Sequence, residues 1–242
     1  RWAVVRRCYA NPRGLTSGGG TGIMLYGSSD SIVENAIAES SLGINIAGTP
    51  TYDGSPGGYR NRLLGVVTLG NVNGITIRAR RFGSGPIRPV GDNVVKDSVL
   101  ARSGSVGVFA RGAANTVLDH VTVWGTRVAD GIAADQDAGE APCSGNPRGC
   151  SITMQHVLSG ANGGPGIRVD TRVVRSWGID ASNSAANRGG DWPTREPIGD
   201  GSGNIRSSRS VVPAGRGLGS GQCLLWAPDG GGEPQVGARV LY

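Results

Sequence analysis

A glycine followed by a β-branched residue recurs six times in this chain: Gly22-Ile23-Met24-Leu25, Gly43-Ile44-Asn45-Ile46, Gly74-Ile75-Thr76-Ile77, Gly107-Val108-Phe109-Ala110, Gly131-Ile132-Ala133-Ala134 and Gly166-Ile167-Arg168-Val169. Successive glycines are 21, 31, 33, 24 and 35 residues apart, a period just above twenty onto which extra residues have been added. A fixed period of this length belongs to chains that stack one structural unit on the next. A second phrase recurs between the glycines: Ser31 to Ile37, Asn93 to Val99, Asn115 to Val121 and Ser151 to Val157. About twenty residues cannot hold a helix pair, and the apolar residues recur at spacing two, so each unit is expected to consist of short strands bounded by Gly or Asn.

In each Gly-led strand the first and third residues after Gly should face a core, while the second and fourth face outward. The Asn or Asp of the second phrase (Asn35, Asp97, Asp119) is expected at a bend, because these residues tolerate left-handed backbone and bond locally. With these repeats the sequence resembles the right-handed parallel β-helix superfamily, the architecture of pectate lyases and of many bacterial surface proteins. The resemblance implies an all-β, right-handed parallel β-helix solenoid of about seven rungs over residues 1–185. Residues 186–242 are expected to form a C-terminal loop and cap, with Val236 to Tyr242 as a terminal strand. The matching motifs are core and turn positions, so they imply fold rather than chemistry.

One domain suffices for 242 residues, and 43 glycines with few aromatic residues suit tight turns better than a globular core. The net charge of +6 favours an anionic partner. No basic run interleaved with aromatic residues points to nucleic acid, so an acidic polysaccharide is the expected partner. No long apolar run suggests membrane insertion. Cys143 and Cys150 bracket a Ser-Gly-Asn-Pro-Arg-Gly turn, a spacing that suits a local disulfide and hence an extracellular or cell-surface setting. Cys8 and Cys223 are left without an assigned pairing. The chain opens inside a rung (Trp2-Ala3-Val4-Val5), so its first rung is expected to meet further chain or another molecule end to end.

The added residues fall at one phase, after the Gly-led strand, at 49–59, 81–91 and 136–149. Their Pro, Gly and Ser content marks loops, and insertion at one phase of a stacked repeat should build a wall along one face. Beside it the outward residues form two columns at about 4.8 Å spacing. One runs Met24, Asn45, Thr76, Phe109, Ala133, Arg168; the other runs Tyr26, Ala47, Arg78, Arg111, Asp135, Asp170. These charges could be a solvated ladder. As a polysaccharide site, Arg78, Arg111 and Arg168 would hold uronate carboxylates, Phe109 or Tyr26 would meet a sugar face, and Asp135, Asp137 and Asp170 could gather Ca²⁺. The resemblance to lyases implies a proton-abstracting Arg, here Arg111, and therefore β-elimination or epimerisation. Two stacked carboxylates, Asp135 and Asp170, would instead suit hydrolysis. The paired-Asp, Gly-His-Gly and Arg-Ile-Lys motifs of pectin-hydrolysing relatives are absent.

The chain has two histidines, His120 and His156, which fall in one column of the second phrase. Such a pair could bind a metal or act as acid and base, but an aromatic stack beside the bend, continued by Ser98 and Trp177, is the simpler expectation. Lys96, the sole lysine, is expected to be solvated. The enzyme reading is a polysaccharide lyase or epimerase; the alternative is a non-catalytic structural or adhesive surface module.

Overall fold

The structure, a computed structural model, describes residues 2–11, 20, 22–39, 42–48, 57–80, 88–136, 149–180 and 182–190. Among these the chain is all-β, with short strands and no helix. The strands pair in parallel within three sheets of twelve, six and three strands. In the six-stranded sheet the Gly-led segments Ile23–Tyr26, Ile44–Ala47, Ile75–Arg78, Val108–Arg111, Ile132–Asp135 and Ile167–Val169 follow one another in sequence order. Each repeat therefore lies beside the next, an arrangement compatible with a β-helix-like fold.

The core follows from the alternation. Ile23, Leu25, Ile44, Ile46, Ile75, Ile77, Val108, Ala110, Ile132, Ala134 and Ile167 are all buried, and Val169 packs against the same cluster half-buried. Each large aliphatic side chain taken out of water contributes about 1.5–3 kcal/mol. Buried amides run alongside this apolar stack. Ser31 N–H donates to Asn61 Oδ1 at 3.1 Å, Asn61 N–H donates to Asn93 Oδ1 at 2.9 Å, and Asn93 Nδ2 donates to Gly58 O at 3.1 Å. A second such run links Thr126, Asn162 and Asn187. They satisfy backbone groups that the bends remove from the ladders.

The bends are single left-handed residues. In the second phrase they are Asn35, Asp97, His120 and His156, with φ of 51°, 50°, 52° and 52°. The expected bend at Asp119 is displaced by one position. Val94 pairs with Val117, not Thr116, so Thr116 takes the buried place of Asn93, while Asn115 becomes a bend of its own at φ 46°. The histidine column is corrected with it: its neighbour is Asp97, Ser98 lies opposite Val121, and Trp177 lies opposite Ile152 with its side chain in the core.

Two of the expected loops are shorter than 49–59 and 81–91. Their last two residues, Gly58–Tyr59 and Val90–Gly91, are strands that pair with each other in the three-stranded sheet. The second insertion is closed by an antiparallel bridge between Arg80 and Arg88. The loop interiors, with Asp137 and Cys143, lie outside the described residues, as does nearly all of the expected cap at 186–242, Cys223 included.

The repeated glycine has a steric cause. Ile44 N–H donates to Gly74 O at 2.9 Å, Ile75 to Gly107 O at 2.8 Å, Val108 to Gly131 O at 2.9 Å and Ile132 to Gly166 O at 2.9 Å. The accepting carbonyl stands where a Cβ would go: one added at Gly74, Gly107 or Gly131 would lie 2.5–2.6 Å from the oxygen of the next glycine in the series. Gly131→Ala should therefore cost about 1–3 kcal/mol, the usual penalty for overpacking. At Gly104 a Cβ would meet nothing closer than 3.6 Å, so Gly104→Ala should leave stability unchanged or raise it by up to about 1 kcal/mol. Urea unfolding of the two variants measures the difference directly.

Candidate functional site

The six-stranded sheet carries both outward columns in the expected register. Met24, Asn45, Thr76, Phe109, Ala133 and Arg168 are successive pairing partners, as are Tyr26, Ala47, Arg78, Arg111 and Asp135. The pairing of the last two strands ends at Ala134 and Val169, one residue short of Asp170. The face is not uniformly open: Ala47, Thr76, Ala133 and Asp135 are buried, whereas Met24 and Tyr26 are exposed.

Asp135 is the centre of the charged part. Arg111 Nε donates to its Oδ1 at 3.3 Å and Arg168 Nη2 to its Oδ2 at 3.0 Å. Arg168 also donates through Nε to Asp130 Oδ2 at 2.6 Å, so four side chains form one chain of alternating charge. Burial alone would push the Arg168 guanidinium down; its hydrogen bonds and charge interactions with Asp130 and Asp135 outweigh that and hold it above its ordinary value. Arg111 lies 4.0 Å over the Phe109 ring, a cation–π contact worth about 0.5–1 kcal/mol where exposed. Arg80 Nη1 reaches back to donate to the Tyr26 hydroxyl at 2.9 Å.

Asp170 is engaged elsewhere. Arg172 donates to it through Nε at 2.9 Å and Nη2 at 2.8 Å, and this bidentate pair holds the Asp170 carboxyl below its ordinary value against a small opposing effect of burial. The structure thus brings together Arg78, Arg111, Asp135 and Arg168, with Phe109 beside them, and gives Asp170 a different partner. Asp130 was missed by the column reading. A signal was present, since it stands directly before a repeat glycine where the other repeats have Thr21, Leu42, Asn73, Val106 and Pro165. Arg172, in the turn after the last strand of this sheet, has no place in the repeat that could have announced it.

A second constellation lies on the twelve-stranded sheet. Lys96 and Asp119 are pairing partners, and the lysine expected in solvent forms an ion pair with Asp119 Oδ2 at 2.8 Å. On the other oxygen, His120 Nδ1 lies at 2.7 Å and His156 Nδ1 at 3.4 Å. The imidazoles stack with centroids 4.3 Å apart and planes 19° from parallel. The expected histidine stack is present, but it is centred on a carboxylate.

The comparisons with known proteins name no relative: no family model, curated protein or solved structure matches the chain.

Removing the charge pairs should separate buried from exposed partners. Asp135→Ala leaves two arginines without a shared acceptor in a largely enclosed place and should cost about 1–3 kcal/mol. Arg172→Ala removes an exposed partner screened by solvent and should cost less than Asp135→Ala at pH 7. The Asp170 carboxyl is depressed on folding, so its contribution is present above the unfolded value of about 3.9 and is lost as pH falls through the lower folded value. Denaturant unfolding should show the Arg172→Ala deficit at pH 7 and its disappearance in strong acid.

Proposed function

We propose that the chain is a right-handed parallel β-helix of about seven rungs, of the pectate lyase-like kind. In this reading the six-stranded face binds an acidic, uronic-acid polysaccharide outside the cell or at its surface. The observation that carries this reading is the pairing of Arg78 with Arg111 on adjacent strands. Like charges directly opposite one another on a sheet are destabilising, and a polyanion with regularly spaced carboxylates would offset that repulsion. Phe109 and Tyr26 add ring faces along the same strands, and the net charge of +6 draws a polyanion to the surface.

The site supports holding better than cleaving. A guanidinium clamped by a carboxylate and a ring face offers donors, not a proton acceptor, so Arg111 suits a carboxylate clamp more than a lyase base. The described residues do not fit a calcium ion either. Both oxygens of Asp135 accept from arginines and both oxygens of Asp170 accept from Arg172, so a cation there would face guanidinium groups. A non-catalytic structural or adhesive module is the second reading, favoured by the Arg111–Asp135–Arg168–Asp130 chain, whose charges satisfy one another.

Binding at low salt to a panel of uronic-acid polysaccharides tests the first reading. Arg78→Ala should weaken binding about ten-fold or more, the worth of a charged hydrogen bond. Arg111→Lys keeps the charge but loses the planar fork, and should weaken binding as well. Absence of binding by the parent, or unchanged affinity in both variants, would leave the structural module as the better account. An unsaturated product absorbing in the ultraviolet would restore the lyase.

The Cys143–Cys150 bridge belongs to the same proposal. Its support is the seven-residue spacing of Cys143 and Cys150 across a Gly- and Pro-containing turn, with Cys150 buried at the start of its strand. Peptide mapping under non-reducing conditions should recover residues 143 and 150 in one linked fragment; a link from Cys150 to Cys223 would refute it.

A further inference from the structure

We propose that Asp119, His120 and His156 form a binding site for a divalent first-row transition metal of the zinc class, separate from the arginine columns. Both histidines and the only lysine of the chain converge on one carboxylate, although they come from three repeats. Among the described residues this is the group of three potential ligands whose donor atoms all lie within 4.8 Å of one another.

The backbone fixes the arrangement. His120 and His156 occupy equivalent left-handed bends next to the paired residues Asp119 and Gln155, so the two imidazoles leave adjacent strands in parallel. Lys96 occupies Oδ2 of Asp119, which leaves Oδ1 to face both Nδ1 atoms at 2.7 and 3.4 Å. Metal–nitrogen and metal–oxygen bonds of about 2.0–2.2 Å place neighbouring ligand atoms about 3 Å apart, so each imidazole nitrogen already stands near that spacing from the carboxylate oxygen. Two imidazoles and one carboxylate select zinc, copper, nickel or cobalt over calcium, which takes oxygen ligands.

Two adjustments accompany binding. The nearly parallel rings direct their Nδ1 lone pairs alongside one another, so His156, the more exposed of the two, must swing out of the stack for the lone pairs to converge. A ring that donates from Nδ1 to Asp119 carries its proton there; coordination needs that lone pair, so the proton moves to Nε2 and the ring stays neutral. Three protein ligands leave a position for water, the open geometry of an exchangeable site rather than a closed structural one.

Zinc chloride titrated into the full chain, with its free thiols alkylated, tests the proposal by calorimetry and by long-range nitrogen–proton correlation of the imidazoles. With only two histidines present, every imidazole signal reports on this site. Saturation near one zinc per chain is expected, with both rings in the Nε2-protonated form once zinc is bound. Asp119→Asn and His156→Asn should each weaken zinc binding at least about ten-fold. Asparagine suits position 156, because Asn35 holds the equivalent bend at φ 51°. Imidazole signals unmoved by zinc, or affinity unchanged in both variants, would overturn the site. The parent's own histidine signals decide the question even where a variant fails to fold.

Discussion

Everything in this molecule depends on the closeness with which one repeat lies on the next. The carbonyl of each repeat glycine occupies the space where its neighbour's Cβ would be, and in that place it accepts the first hydrogen bond of the adjacent Gly-led strand. A one-residue slip would drive a side chain into this contact and turn the aliphatic stack toward solvent. Sterics and burial therefore select the same register, and that agreement aligns residues 24 and 33 positions apart, as in Arg111, Asp135 and Arg168.

With register fixed, charge becomes a question of neighbours. Arg78 faces Arg111, Arg111 faces Asp135, and Lys96 faces Asp119. Where opposite charges meet, the ladder satisfies itself; where like charges meet, they repel one another. One scaffold thus produces two different surfaces. One is a column in which two guanidinium groups are followed by a carboxylate, and the other is a compact group of two imidazoles and a carboxylate.

The six-stranded face could be read from the sequence because a glycine marks each strand start and the alternation after it is strict, so both columns appear in the expected pairs. The second phrase was harder, since one residue type does two jobs there. Asn93 is a buried rung of the amide ladder and Asn115 is a left-handed bend, and aligning them on identity shifted the strand by one. That shift concealed Asp119 as a side chain facing Lys96; Trp177, expected beside the histidines, pairs with Ile152 through a separate register difference of four residues and lies in the core. The Asp170–Arg172 pair was out of reach for another reason: it is local to a turn, and periodicity says nothing about residues beyond the last paired strand.

The bends tie these observations together. A position that demands left-handed backbone ordinarily goes to Gly or Asn, and here it is held by Gly65, Asp97, His120 and His156 in turn. Histidine adopts that conformation more readily than most residues but less easily than glycine, so two in succession carry a backbone cost that asparagine would lessen. The stacked rings and their contacts to the Asp119 carboxylate offset part of that cost, yet an Asn pair would hold the bends without needing either. Two imidazoles kept on one carboxylate, in a chain with no other histidine, are better explained by what they can coordinate than by the turns they make.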